Sequence, residues 1–152
     1  MSEPAISPPF CYSTYVSVGD TNCFGTVYFT RYFEWQGRAR EAFFRKVVPA
    51  FDALLAAGYG VFTVEAEMEY LMDLHVFEPV EISIELSRLR RASVRVSFVF
   101  HRGRQLVALG RQRLVFVSPQ KQPAALPESV RQPLAQYILN QGGNHATPDS
   151  RG

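Results

Sequence analysis

Alternation of apolar and polar residues dominates the chain from Val61 to Val117. It runs through 61–71, 80–89 and 92–100, and Leu106 to Val117 supplies another long strand-like segment. A period of two is the spacing of side chains on one face of a β-strand. Short turns separate these segments, so the region predicts consecutive antiparallel strands with an apolar face that another element must cover.

The sequence makes two specific predictions about these strands. In the segment after Gly60, one predicted face carries the glutamates Glu65, Glu67 and Glu69 together with Thr63, and looks solvated. The opposite face is predicted to carry Phe62, Val64, Ala66, Met68 and Tyr70. In the last strand, Gly110 predicts a bulge or a strong bend.

The chain has a single long helix-compatible segment, which begins after Thr30 and is stopped by Pro49. Spacings of three and four predict one buried helical stripe. It consists of Phe33, Gly37, Arg40, Phe44 and Val47. The opposite, solvated face is predicted to hold Glu34, Arg38, Glu41 and Arg45.

Two members of that stripe are unusual. An unpaired buried guanidinium costs several kcal/mol, so Arg40 needs an acidic partner, hydrogen-bond acceptors or a ligand. Gly37 costs roughly 1 kcal/mol of helix propensity relative to alanine, which suggests that another backbone or a ligand comes close there.

The chain ends predict the domain boundaries. Three prolines make residues 1–10 an extended lead, and a first strand from Cys11 to Val18 opens a single domain over 11–139. From Pro127 to Leu139 we expect at best a short helix interrupted by Pro133. The Gly-, Asn- and Pro-rich residues 140–152 predict a disordered tail.

Composition excludes several classes of protein. A length of 152 residues with 47% hydrophobic residues suits one domain with a real core, and a formal charge of +2 argues against a nucleic-acid protein. We expect no membrane span, no metal and no cofactor, since apolar runs are short, CxxC and HExxH are absent, and the histidines are scattered. Two cysteines and no secretory start predict a cytoplasmic protein. Arginines in the strands are either a solvated face or a surface for an acidic partner.

The order strand, loop, helix and four strands resembles the hot-dog fold. GDTNCFGTVYF at 19–29, Tyr32 and RAR at 38–40 resemble motif positions of the 4-hydroxybenzoyl-coenzyme A thioesterase branch. The resemblance implies an α+β fold in which a curved five-stranded antiparallel sheet wraps around a long central helix. It also implies a homodimer with strand-to-strand pairing, doubled to a tetramer, with sites at the subunit interface.

The chain departs from that branch at Asn22, where relatives carry an aspartate held to act as nucleophile or general base, and at Gly37, where many carry a glutamate. With WQGRARE at 35–41, it resembles the thioesterases that accompany iterative polyketide synthases of enediyne biosynthesis. This narrower resemblance implies release of a polyene β-ketoacyl chain from an acyl carrier protein by hydrogen bonding rather than by a carboxylate.

The candidate catalytic residues are therefore Asn22 and Arg40, as donors to the thioester oxyanion. Candidate substrate-binding residues are Tyr32, Gly37, Thr63, Tyr28 and Phe33. Each has a plainer interpretation: a turn for Asn22, a salt bridge for Arg40, β propensity for Thr63, and core packing for the aromatic residues. Cys23 is interpreted as packing, because the sequence indicates no base beside it.

Two other functions stay open. One is an acyl-coenzyme A thioesterase of primary or aromatic metabolism, and the other is a non-catalytic acyl-binding hot-dog protein.

Overall fold

The computed structural model describes residues 8–142. Its five strands form one antiparallel sheet in the order β1-β3-β4-β5-β2. They are β1 (Phe10–Tyr15), β2 (Gly60–Tyr70), β3 (Pro79–Ser87), β4 (Ser93–Arg102) and β5 (Gln105–Val117). The helices are α1 (Arg31–Val47), α2 (Phe51–Ala56) and α3 (Glu128–Gln141). The predicted five-stranded antiparallel sheet with one long helix is confirmed.

The central helix α1 packs on the inner face of the sheet, against residues such as Ile82 and Phe98 that are fully buried. Its buried positions are Tyr32, Trp35, Gln36, Ala39, Phe43 and Phe44. The predicted stripe is therefore wrong in phase. Of its members only Phe44 is buried, and Phe33, Gly37, Arg40 and Val47 lie along the border of the contact. Aromatic residues occur in both phases of this helix, so spacing alone could not choose between them.

The outer face of α1 agrees with the prediction. Its four charged positions are all exposed, namely Glu34, Arg38, Glu41 and Arg45. Arg45 reaches the start of α2 and donates to Asp52 Oδ1 over 3.0 Å.

Strand β2 contains a bulge that the sequence did not reveal. Thr63 pairs with Leu114 and Glu65 with Arg113, so Val64 is an extra residue opposite none. Because a bulge shifts the alternation by one residue, Thr63 faces α1 together with Met68 and Tyr70, and the predicted grouping of Thr63 with the glutamates is wrong. The glutamates do lie on the outer face, all exposed.

Gly110 serves another purpose than the predicted bulge. The register runs through it without interruption, since it pairs with Met68 on one side and Phe98 on the other. A Cβ added at this position would collide with Gln36 Nε2 and would lie 3.0 Å from Met68 Sδ. The glycine makes room for the side chain of Gln36 to reach the sheet.

The C-terminal helix α3 is longer than predicted. It continues through Pro133 for 14 residues, so the expectation of a short interrupted helix is wrong. Val130, Leu134 and Tyr137 recur at helical spacing and are buried, which offsets the one backbone hydrogen bond that proline cannot make. The Tyr137 hydroxyl donates to the Ile84 carbonyl and accepts from the Phe10 amide.

The described elements run from Phe10 at the start of β1 to Gln141 at the end of α3. The predicted single domain over 11–139 stays a prediction. The predicted tail beyond Gly142 and the lead before Pro8 lie outside the described residues.

The two edges of the sheet differ. At the β1 edge, the Phe10 amide is hydrogen-bonded to Tyr137 of α3. In the described part of the chain β2 pairs with β5 alone, and its side chains Phe62 and Val64 are 45% and 46% exposed. None of the described helices is both long and apolar enough to cross a membrane.

Candidate functional site

Asn22 organises the loop in which it lies. Its Oδ1 accepts from the backbone amides of Phe24 (2.9 Å) and Thr26 (3.3 Å), and its Nδ2 donates to Thr26 Oγ1 over 3.1 Å. The backbone closes the same loop, with Asn22 N donating to Thr26 O over 2.8 Å. Gly25 allows the return through a positive φ of 79°. The local hydrogen bonds leave one Nδ2 proton for another acceptor.

An open cavity of about 670 Å³ lies beside this loop. Asn22, Tyr28, Tyr32, Tyr70 and Asp73 are among the residues that line it. Tyr28 is 46% exposed and its ring lies 4.7 Å from that of Phe29, so Tyr28 is less of a packing residue than the sequence suggests.

Tyr32 is a core residue that reaches this cavity. It is 3% exposed, and its ring makes edge contacts with Trp35 and Tyr70. Burial, with a smaller contribution from the negative charge of Asp73, raises the pKa of Tyr32 to about 12. The phenol is therefore neutral across the physiological range and can only act as a hydrogen-bonding group.

Arg40 is half-buried and is held by neutral acceptors. Its Nη1 donates to Gln112 Oε1 over 2.9 Å and to Thr63 Oγ1. Burial lowers the pKa of the guanidinium, against a smaller opposing effect of Glu41, but an arginine stays charged at neutral pH. Within residues 8–142 no carboxylate forms an ion pair with it, so its stabilisation comes from acceptors rather than from an acid.

A second open cavity, of about 480 Å³, lies beside Arg40. Gly37, Glu41, Phe44 and Val61 also line it. A Cβ added at Gly37 would meet no atom of the described residues within 4 Å, so this glycine borders open space rather than a close neighbour there. Phe33, also predicted to bind substrate, lines neither cavity.

Sequence reasoning missed Gln36 and Gln112, which are buried polar residues at 0% and 6% exposure in the part of the chain that the structure describes. Gln112 Nε2 donates to Gln36 Oε1 over 2.8 Å. A signal for Gln112 was present, because it occupies an inward position of β5 between Gly110 and Leu114, where an apolar residue is expected.

The two candidate catalytic residues do not meet within one protomer. Asn22 lies in the cavity at the Tyr70 end of β2, and Arg40 lies in the cavity at the Val61 end. Their joint role stays a prediction that depends on how protomers assemble.

Other predicted groups lie elsewhere. Most of the strand arginines on the outer face are paired with glutamates: Arg113 lies 3.1 Å and Arg95 3.9 Å from Glu65, and Arg111 lies 3.4 Å from Glu67. This pairing favours the interpretation of a solvated face.

Cys11 and Cys23 are both free and exposed. Between Pro8 and Gly142 no cluster of three metal-ligating side chains occurs.

Solved structures with the same architecture include three informative cases. The crystal structures of dynemicin thioesterase, which describe polyene binding, match with a TM-score of 0.79 and 29% identity over 85% of this chain and 96% of that chain. A 1,4-dihydroxy-2-naphthoyl-CoA thioesterase from Synechocystis matches with a TM-score of 0.75 and 18% identity over 83% of this chain and 95% of that one. A hypothetical protein from Staphylococcus aureus in complex with CoA matches with a TM-score of 0.86 and 15% identity over 97% and 94% of the two chains.

The last two likenesses, at these identities, show the fold alone, and together with the first they confirm the hot-dog fold. The search of curated proteins finds no match. Residues 16–134, most of the chain, match the thioesterase-like superfamily. The chain therefore belongs to the thioesterase-like superfamily and is an enzyme of the acyl thioester hydrolase class.

Proposed function

We propose that the protein hydrolyses a polyene β-ketoacyl thioester, of the kind made by an iterative enediyne-type polyketide synthase, while the chain is attached to an acyl carrier protein. The observation that carries this proposal is the half-buried Arg40, which is held by neutral acceptors beside an open cavity and keeps its full positive charge. The 29% identity to dynemicin thioesterase supports the choice of substrate class.

The proposed chemistry needs no side-chain nucleophile. Water adds to the thioester carbonyl carbon, the carbonyl oxygen becomes negative, and the C–S bond then breaks as the thiol leaves with a proton. Donors placed for such an oxyanion are worth about 3 to 4 kcal/mol each. Arg40 and the free Nδ2 proton of Asn22 would be two such donors, whereas the neutral amide of Asn22 cannot serve as a general base. The β-keto acid product can lose CO₂ without further help.

A dimer through the free edge of β2 would bring the two donors together. If two copies of β2 pair antiparallel about their centre, the Val61 end of one strand lies opposite the Tyr70 end of the other. The cavity beside Asn22 would then adjoin the cavity that holds the partner's Arg40. Exposed apolar residues on this edge, such as Val64, favour such pairing, and two dimers would associate into the tetramer.

Two other functions remain in competition. An acyl-coenzyme A thioesterase would use the same donors on a different carrier. A non-catalytic acyl-binding protein would retain the cavities without turnover, and the local hydrogen bonds of Asn22 are what favour it. With any of these functions, we place the protein in the cytoplasm, where free thiols such as those of Cys11 and Cys23 persist.

The test is single-turnover hydrolysis of one β-ketoacyl chain, presented on a loaded carrier protein and on coenzyme A, with products identified by mass spectrometry. Asn22→Ala and Arg40→Ala should each lower the rate by about 100- to 1000-fold. Arg38→Ala, an exposed position on the same helix, is the matched control and should stay within about twofold.

Full turnover by both variants would contradict the mechanism. A faster reaction of the coenzyme A thioester would favour the acyl-coenzyme A alternative. Stoichiometric binding of the acyl chain without product would favour the non-catalytic one.

A further inference from the structure

A continuous chain of amide hydrogen bonds runs from the backbone of β2 to the guanidinium of Arg40. Gln36 Nε2 donates to the Glu67 carbonyl over 3.1 Å, Gln112 Nε2 donates to Gln36 Oε1 over 2.8 Å, and Arg40 Nη1 donates to Gln112 Oε1 over 2.9 Å. Each of the three links joins residues more than 30 positions apart in the sequence. Helix α1, strand β2 and strand β5 are thus tied together at the site of Arg40.

The direction of this chain is fixed at its far end. A backbone carbonyl can only accept, so Gln36 must present its NH₂ group to Glu67 and its oxygen to Gln112. Gln112 must then present its own oxygen to Arg40, because its NH₂ group is used on Gln36. Turning over either amide would place two donors against each other, at a cost of about 1 to 3 kcal/mol for each unsatisfied buried group.

The series of amide hydrogen bonds holds the guanidinium of Arg40 without neutralising its charge. Gln112 and Thr63 are uncharged acceptors, and both bind the same nitrogen, Nη1. Among residues 8–142, the hydrogen bonds of the Arg40 side chain all use Nη1, and Arg40 also lines the cavity that Gly37, Glu41 and Phe44 line. A carboxylate in place of Gln112 would fix the same nitrogen but would also cancel the charge that an oxyanion needs.

The local geometry of the sheet accommodates these amide hydrogen bonds. Gly110 leaves the space that the amide of Gln36 occupies, and the bulge at Val64 turns Thr63 toward Arg40. A missing side chain on β5 and an extra residue on β2 therefore serve one side-chain arrangement.

We propose that Gln112, held in orientation by Gln36, is a positioning residue that aims the Arg40 guanidinium at the developing oxyanion. Gln112 does not touch the substrate, and it acts only through Arg40. This inference rests on the function proposed for Arg40 and adds the residues that make that function possible.

The test is a double-mutant cycle on kcat for the same thioester, with KM measured in parallel. Gln112→Leu should lower kcat by about 10- to 100-fold while KM changes by less than about threefold, because the orientation of one oxyanion donor is lost. In the Arg40→Ala background the same substitution should change kcat by less than about twofold, since there is no guanidinium left to aim. Ile82→Val, in the same core but away from Arg40, controls for the loss of stability alone.

An equal loss of kcat in both backgrounds would overturn the positioning role, and so would no loss on introducing Gln112→Leu into the wild-type protein while Arg40→Ala is inactive. Either result would leave the proposed function standing. If Arg40→Ala itself kept full turnover, the proposed function would fall and this inference with it.

Gln112→Glu provides a second measurement should Gln112→Leu fail to fold. It preserves shape and places a carboxylate against Arg40, so kcat should be depressed at neutral pH and rise as the pH falls through the pKa of the introduced carboxyl. The unmodified protein should show no such rise. A flat pH profile at normal activity would contradict the inference.

Discussion

The two proposed donors are held in opposite ways. Within residues 8–142, every side-chain hydrogen bond of Asn22 goes to a residue at most four positions along the chain, whereas Arg40 is bound to Thr63 and Gln112, which lie 23 and 72 positions away. The Asn22 loop therefore needs little of the fold to adopt its shape. The Arg40 arrangement exists only once the helix α1, the edge strand β2 and its neighbour β5 have come together.

This difference determines what a substitution changes at each of the two sites. Asn22 combines a structural task with a proposed chemical one, so its replacement changes the loop as well as the site. Arg40 is held by the side chains of its neighbours. Replacing one of those neighbours can therefore change the orientation of the guanidinium while Arg40 itself remains. Each of the following experiments alters one side of the comparison.

Asn22→Asp should have the largest effect, a fall in kcat of about 100-fold at neutral pH. The carboxylate keeps the accepting contacts with Phe24 and Thr26 but removes the amide donor and repels the oxyanion. A pH profile of kcat is the measurement. Retained activity that falls as the pH drops through the pKa of the new carboxyl would mean that a general base works at this position, and the donor role of Asn22 would be wrong.

Gly110→Ala should disturb the Arg40 side and spare the Asn22 loop. The new methyl group would displace the amide of Gln36, and we expect a loss of about 2 to 3 kcal/mol in the free energy of unfolding. Chemical denaturation measures this loss. In a Gln36→Ala background most of the cost should disappear, and an undiminished cost there would show that the collision is not its cause.

Tyr32 lines the cavity beside Asn22 and packs against Trp35, the residue before Gln36. Its buried phenol makes the stability of the protein depend on pH in alkali. Its pKa rises from 10.0 to about 12 on folding, so its contribution to stability is complete below the lower value and is lost as the pH rises through the higher. At about pH 11 the loss for one such group is roughly 1.4 kcal/mol. Tyr137 has the same shift from burial and adds a similar loss.

Denaturation of the wild type and of Tyr32→Phe, at neutral pH and near pH 11, measures that contribution. The variant should lose less stability in alkali than the wild type. Equal losses would mean that the Tyr32 hydroxyl titrates as an exposed phenol does, and that it belongs to the cavity rather than to the core.

Gly37→Ala should have the smallest effect on folding and is the test of close approach beside Arg40. In an isolated protomer the new methyl group meets nothing, so the substitution should raise the free energy of unfolding by about 0.5 to 1 kcal/mol through helix propensity. A loss of activity or of dimer in this stabilised variant would locate a ligand or a second protomer there. Unchanged activity and assembly would leave the glycine without a function in the site.

The sequence was informative where periodicity and local chemistry decide the structure. It predicted the five strands, the long helix and its solvated face, and it supplied the local alternative for Asn22 that the hydrogen bonds support. It failed where a single residue shifts the phase. Nothing in the alternating segment after Gly60 marks Val64 as the extra residue, and the aromatic residues of α1 allow two phases that only packing on the sheet distinguishes. Gln112 was overlooked because its importance depends on Gln36 and Arg40, which are distant in sequence.

The extra residue at Val64 has a consequence for comparing this chain with its relatives. Within each half of β2, residues that face the helix are an even number of positions apart in the sequence. Across Val64 they are an odd number of positions apart. Where a relative has an uninterrupted strand, a gapless alignment would equate Thr63 with a residue that points away from the helix. The gap belongs at Val64, and only with that placement do residues on both sides of it correspond by position in space.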